Sequence, residues 1–123
     1  MTWREMAGDN LEAARMLLAR KHWRSSASRS YFAVFAALTA SLEGDASFPA
    51  GRQAPTHATL PHLIANYLSQ LQVVHRRRMM SDVRELYENR ISADYRMSRT
   101  VTRGTALRSL LLAERVISAL EIK

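Results

Sequence analysis

The stretch Arg24–Leu42, RSSASRSYFAVFAALTASL, decides the fold. Tyr31, Val34, Phe35, Leu38 and Leu42 recur at helical spacing and mark one apolar face. Ala27, Ala33, Ala36, Ala37 and Ala40 keep the other faces small. A helix that is apolar nearly all round belongs in the middle of a fold, and its small residues let neighbouring helices approach closely. The rest of the chain is therefore expected to wrap helices around this one.

Working outward, the sequence supplies those helices. Thr2 followed by Glu5 has capping-box spacing, which predicts a helix from about Trp3 to Lys21 with Met6, Leu11, Ala14 and Leu18 inward. A third helix begins between His57 and Pro61, with Thr59 as its cap, because proline is tolerated only in a first turn. Leu60, Leu63, Ile64, Tyr67, Leu68 and Leu71 form its expected buried set. A fourth helix follows VVHRRR and reaches Met97, and a fifth spans about Thr102 to Glu121 with Ala106, Leu110, Ala113, Ile117 and Leu120 inward. Between the second and third lies EGDASFPAGRQAPT, residues Glu43 to Thr56, which holds two of the four glycines and two of the three prolines and reads as a loop. No stretch reads as a strand. The expectation is one all-α domain over residues 1–123, an antiparallel bundle of four or five helices.

Composition limits the function classes. The chain has no cysteine, so disulfide frameworks and thiolate metal sites are excluded, in keeping with a cytoplasmic protein. No apolar run approaches the roughly 20 residues that span a bilayer. The segment MTWREMAGDN carries two acids and no apolar core, unlike a secretory signal. A formal charge of +7 points to an anionic partner, with nucleic acid the usual one. Sixteen of the eighteen cations are arginines, a bias that GC-rich coding alone produces, so the weight rests on clustering. Arg76, Arg77 and Arg78 form the densest run, at a helix start whose dipole disfavours them, which suits phosphate binding. Arg20, Lys21, Arg24 and Arg29 form a second cluster at the first helical hairpin.

The fourth helix raises the main chemical question. At about 100° per residue, Met80, Val83, Tyr87 and Ile91 fall in one arc, and Arg90 and Asp94 fall inside it. An intrahelical pair of this order stabilises by only a few tenths of a kcal/mol. That does not offset taking two charges out of water. A pocket or a subunit interface explains them better, with Arg90 gripping a phosphate through two bonds, Asp94 orienting it and Tyr95 offering a hydroxyl or a ring. The alternatives are a plain ion pair and a pair that fixes helix register at a dimer contact.

With these residues in place, the chain resembles the HEPN family (higher eukaryotes and prokaryotes nucleotide-binding domains). The likeness lies in LEAARMLLARKHWRSSASRSYFAVFAALTASLE, with its SR.Y motif, in His57 within THATL, in LY..R..ADY of the fourth helix, and in TRGTALRSLLLAERVISAL. It spans nearly the whole chain in order. The resemblance implies an antiparallel helical bundle that forms a homodimer and binds RNA or nucleotides. Many members are metal-independent ribonucleases, often toxins with an antitoxin partner or parts of defence systems. Others are non-catalytic partners of minimal nucleotidyltransferases, some of which nucleotidylate a motif tyrosine, for which Tyr95 is the nearest equivalent here.

Active members carry R-x(4–6)-H on the fourth helix. Here Arg90 matches the Arg, but Tyr95, Arg96 and Met97 occupy the positions of the His. Imidazole titrates near neutrality, whereas a tyrosine with a reference pKa near 10 is a poor base without strong perturbation. His57, which opens the third helix, is the best substitute. The candidate catalytic set is Arg90, Tyr95 and His57. The candidate phosphate-binding or orienting set is Arg29, Asp94, Arg76, Arg77 and Arg78. His22, His57, His62 and His75 have no zinc-binding spacing, there is no phosphate-cradling glycine loop, and no metal or cofactor is expected.

Overall fold

The computed structural model describes residues 1–43, 54–68 and 71–121. It contains α1 (Trp3–Ala19), α2 (Trp23–Leu42), a 3-10 turn (His57–Thr59), α3 (Leu60–Tyr67), α4 (Val73–Tyr95) and α5 (Arg103–Glu121). No strand occurs among the described residues. Most of the expected loop, residues 44–53, lies outside them. Among the described residues no helix is long and apolar enough to cross a membrane.

The central position of α2 follows from its side chains. It packs on α1, α4 and α5, and Tyr31, Ala33, Val34, Leu38 and Leu42 have no exposed surface. Alanines at 33, 36 and 37 bring the neighbours in closely. Ser26 donates its hydroxyl to the Ala14 carbonyl at 2.8 Å, a buried bond that fixes α1 against α2. The capping box at Thr2 forms as expected: Glu5 N–H donates to Thr2 Oγ1 at 3.1 Å, and Thr2 N–H donates to Glu5 Oε1 at 3.2 Å. α1 stops at Ala19 rather than Lys21, because Lys21 takes a left-handed φ of 65°. His22 N–H then bonds Leu17 O and Lys21 N–H bonds Leu18 O, the pair of bonds that closes a helix through a left-handed residue.

The start of the third helix differs from expectation. Thr59 makes no side-chain cap to α3; its hydroxyl turns back to Thr56, and the two threonines box in the 3-10 turn that carries His57. Tyr67 is exposed, whereas Leu60, Leu63, Ile64 and Leu68 are buried.

α4 is turned by a little under one residue step (about 100°) from its expected face. Met79, Asp82, Val83, Leu86 and Ala93 are buried, while Met80, Tyr87 and Ile91 are only partly so. The cause is Asp82. Its carboxylate, with 7% of the side chain exposed, is gripped by Arg115 of α5 through Nε–Oδ2 at 2.9 Å and Nη2–Oδ1 at 2.7 Å. One turn on, Arg108 holds Glu85 through two bonds of 2.9 and 3.2 Å, but both partners are about half exposed. The forks set the register of α4 on α5 and turn Tyr87, Ile91 and Asp94 away from the core, with Arg90 at its edge.

These two forks differ in worth. Asp82 is buried although Arg115 is 46% exposed, so removing Arg115 leaves a buried carboxylate without its partner, whereas a pair exposed at both ends contributes little. Arg115→Ala is expected to lower unfolding free energy by about 1–2 kcal/mol, the cost of an unpaired buried group discounted for the exposed arginine, and Arg108→Ala by less than about 1 kcal/mol, measured by urea denaturation. A further check is Lys21→Gly, which relieves the left-handed residue and should raise stability by about 0.5–1 kcal/mol.

Candidate functional site

Three elements build the site at the edge of the core. α2 presents Ser28, Tyr31 and Phe32 toward α4, with Phe35 against His57. α4 presents Tyr87, Arg90 and Asp94, with Tyr95 at its last residue. The 3-10 turn adds His57. The last turn of α4 is held from α2: Arg24 Nη1 donates to the carbonyls of Ser92 and Ala93, each at 3.0 Å, and its Nη2 reaches those of Met97 and Arg99. These are carbonyls that a helix end leaves without partners, where a cation is favoured. Arg24 is therefore spent on positioning Asp94 and Tyr95, not available to a ligand as the basic cluster at the first hairpin suggested. It also explains why α4 ends at Tyr95 and not at Met97.

Arg90 is the centre of the arrangement, with 13% of its side chain exposed. Its guanidinium carbon lies 5.0 Å from the Phe32 ring centroid and 5.1 Å from that of Tyr95, so two aromatic rings flank the cation. Nε stands 2.9 Å from Asp94 Oδ2, a charge contact in which the buried N–H is not directed at the oxygen. Nη2 donates to the Tyr95 hydroxyl at 3.3 Å. Asp94 Oδ2 also accepts the Ser28 hydroxyl at 3.0 Å. Nη1 makes no hydrogen bond among the described residues. The guanidinium is thus fixed in place with donor capacity left over, the state in which it can take a phosphate oxygen.

Behind Arg90 sits an aromatic cage around His57. Its ring centroid is 5.4 Å from Tyr31, 5.1 Å from Phe35 and 5.5 Å from Tyr87. Burial, and then the Arg90 charge, lower the His57 pKa from its ordinary 6.5, so the imidazole is neutral at pH 7. Burial pushes the Tyr31 phenol well above its ordinary range, with Tyr87 adding to the shift and Arg90 opposing it. The Tyr31 hydroxyl and His57 Nδ1 are hydrogen-bonded. A protonated, buried phenol needs an acceptor, and Nδ1 is the one it has. His57 then carries its proton on Nε2, as a donor rather than as a base.

The expected site residues separate into two groups. Arg90, Asp94, Tyr95 and His57 come together. Arg29 stands at the rim, exposed, with Nη1 donating to Asn10 Oδ1 at 3.1 Å, and shares an open pocket with Asp94. Arg76, Arg77 and Arg78 lie 12 to 14 residues before Arg90 on the same helix, roughly 18–21 Å away along the axis at 1.5 Å per residue. They form a separate basic patch and do not join the cluster. Asp94 is at the rim and not inward, with 28% of its side chain exposed. Ser28 was not anticipated, although it stands one turn before Phe32 on the α2 face that meets α4. Phe32 reads in the sequence as plain core. Among the described residues no group of three or more His, Asp or Glu side chains is placed to hold a metal ion.

The HEPN domain family model matches residues 1–123. The chain belongs to the HEPN domain family, a family of nucleotide- or RNA-binding and nuclease-type proteins. No curated protein and no solved structure matches it.

The lowered His57 pKa has a stability consequence. The unfolded chain takes up a proton at 6.5, the folded chain only at lower pH. The stabilisation is fully present above pH 6.5 and is lost as pH falls through the folded value. Urea midpoints at pH 7.5 and 5.5 should show the protein weaker at 5.5, and His57→Asn should remove that part of the difference.

Proposed function

We propose that the protein binds RNA or a nucleotide through a phosphate held by Arg90, as a homodimer, and serves as the ribonuclease toxin component of a toxin–antitoxin or defence system. One observation carries this reading: an arginine of α4 fixed between two rings and a carboxylate, yet with Nη1 unspent. Asp94 orients Arg90. Tyr95 and His57 contact the substrate, His57 through the Nε2 proton that its bond to Tyr31 leaves free. Arg90 stabilises charge that develops on the phosphate, without a metal. The exposed side chains of Tyr95 and Met97, 66% and 80% accessible, give two copies an apolar rim beside their Arg90 sites.

A second reading has its own support. No imidazole stands at positions 95–97, and the exposed Tyr95 hydroxyl lies against Arg90. Both features suit a non-catalytic partner of a minimal nucleotidyltransferase, with Tyr95 as an acceptor.

The two readings separate in one experiment. Purified wild type and Arg90→Ala are assayed for RNA binding and cleavage without added metal, with solution mass measured alongside. Arg90→Ala should weaken RNA binding by at least about thirtyfold, the value of a lost charge-assisted bond pair, at unchanged fold and dimer mass. Cleavage by wild type that disappears in Arg90→Ala supports the ribonuclease reading. Arg90-dependent binding without cleavage favours the partner reading. Equal RNA affinity in the two proteins contradicts phosphate binding at Arg90.

A further inference from the structure

An open pocket of about 400 Å3 adjoins Arg90 and shares Asp94 with the phosphate site, while its remaining space is not used by the phosphate reading. Leu17, Ser25, Ser28, Arg29, Phe32 and Asp94 line it, from α1, α2 and the end of α4. Its size is in the range that holds small organic ligands. Its lining joins a carboxylate, two hydroxyls, a guanidinium and two apolar side chains. A carboxylate forms part of the wall, and it is half spent. Oδ2 faces Arg90 Nε and takes the Ser28 hydroxyl, whereas Oδ1 has no hydrogen bond among the described residues. A free carboxylate oxygen repels a phosphate and accepts from an N–H donor. Leu17 and Phe32 supply apolar surface, and Ser25 and Arg29 supply donors in the same pocket.

We propose that this pocket binds the nucleobase next to the phosphate held by Arg90, and that it selects guanine; the proposal rests on the phosphate reading given above. Guanine carries two adjacent donors, N1–H and N2–H2, beside the O6 acceptor. Asp94 Oδ1 takes the donors, and Arg29 or the Ser25 hydroxyl serves O6. Uracil is disfavoured, because its single N3–H lies between two carbonyls that repel the carboxylate. Adenine and cytosine each offer one amino group flanked by an acceptor and rank between. Phe32 links the two subsites, since it packs against Arg90 and also lines the pocket. Arg29 lines a neighbouring hollow with Ala13, Met16, Leu17 and Arg20, which gives the strand a basic path onward from the base.

The test uses short uridine strands that carry G, A, C, U or an abasic residue at the centre, bound to the full chain without metal and followed by fluorescence anisotropy. The G strand should bind roughly tenfold tighter than the U strand, the discrimination expected of one good base contact. Ser25→Trp, an exposed position whose enlarged side chain fills the pocket, should bring the ratio of G to U affinity close to one. A wild-type ratio near one, with binding still lost in Arg90→Ala, overturns the base pocket and leaves the phosphate reading standing. A ratio unchanged in Ser25→Trp places the preference elsewhere and also overturns it. Binding of every strand that is indifferent to Arg90→Ala overturns both.

Discussion

The buried carboxylate of Asp82 constrains the rest of this structure. An ionised side chain cannot leave water without a partner, and Arg115 supplies one through two short bonds. That requirement turns α4 on its axis. With Asp82 facing α5, Leu86 joins Val83 in the core, Tyr87, Ile91 and Asp94 turn outward, and Arg90 stands at the core's edge. At that edge the guanidinium has the Phe32 and Tyr95 rings beside it and an Nη1 without a hydrogen bond among the described residues. Register on α4 is thus the step that joins packing to chemistry.

The site itself is a problem in competing charges. Asp94 stabilises Arg90 but also stands beside the place where a phosphate would bind. The structure limits that conflict by giving Asp94 Oδ2 a charge contact with Arg90 Nε and one donor, the Ser28 hydroxyl. Phe32 and Tyr95 add attraction to the cation without adding negative charge. His57 stays neutral because burial disfavours its charged form and Arg90 adds to that, and its bond to Tyr31 fixes which nitrogen carries the proton. Arg24 contributes from outside the site, tying the end of α4 so that Asp94 and Tyr95 keep their places.

Much of the fold was legible in the residues. The all-round apolar character of Tyr31 to Leu42 placed α2 at the centre, and the Thr2–Glu5 box placed the start of α1. Local signals of this kind depend on residues a few positions apart. The rotation of α4 was not legible, because it depends on a pairing between Asp82 and Arg115 on different helices, and the apolar periodicity of α4 is weak. The same limit explains the reading of Arg24, whose carbonyl partners are about 70 residues away. The likeness of LY..R..ADY drew Arg90, Asp94 and Tyr95 together correctly as neighbours, since they share one helix end. His57 joined them only through the fold. The run Arg76–Arg78 looked most conspicuous in the sequence, yet helix length alone keeps it away from Arg90.

The most direct test of the central claim, that Arg90 is a held guanidinium with donors free for phosphate, is proton–nitrogen NMR of the arginine side-chain Nε–H groups. The Arg90 signal, assigned by its loss in Arg90→Lys, should be protected from exchange in the free protein. It should shift on titration with a short RNA before the signals of Arg76, Arg77 and Arg78. An Arg90 signal that exchanges as fast as those of the exposed arginines, or that stays unmoved while RNA binds, would contradict the account.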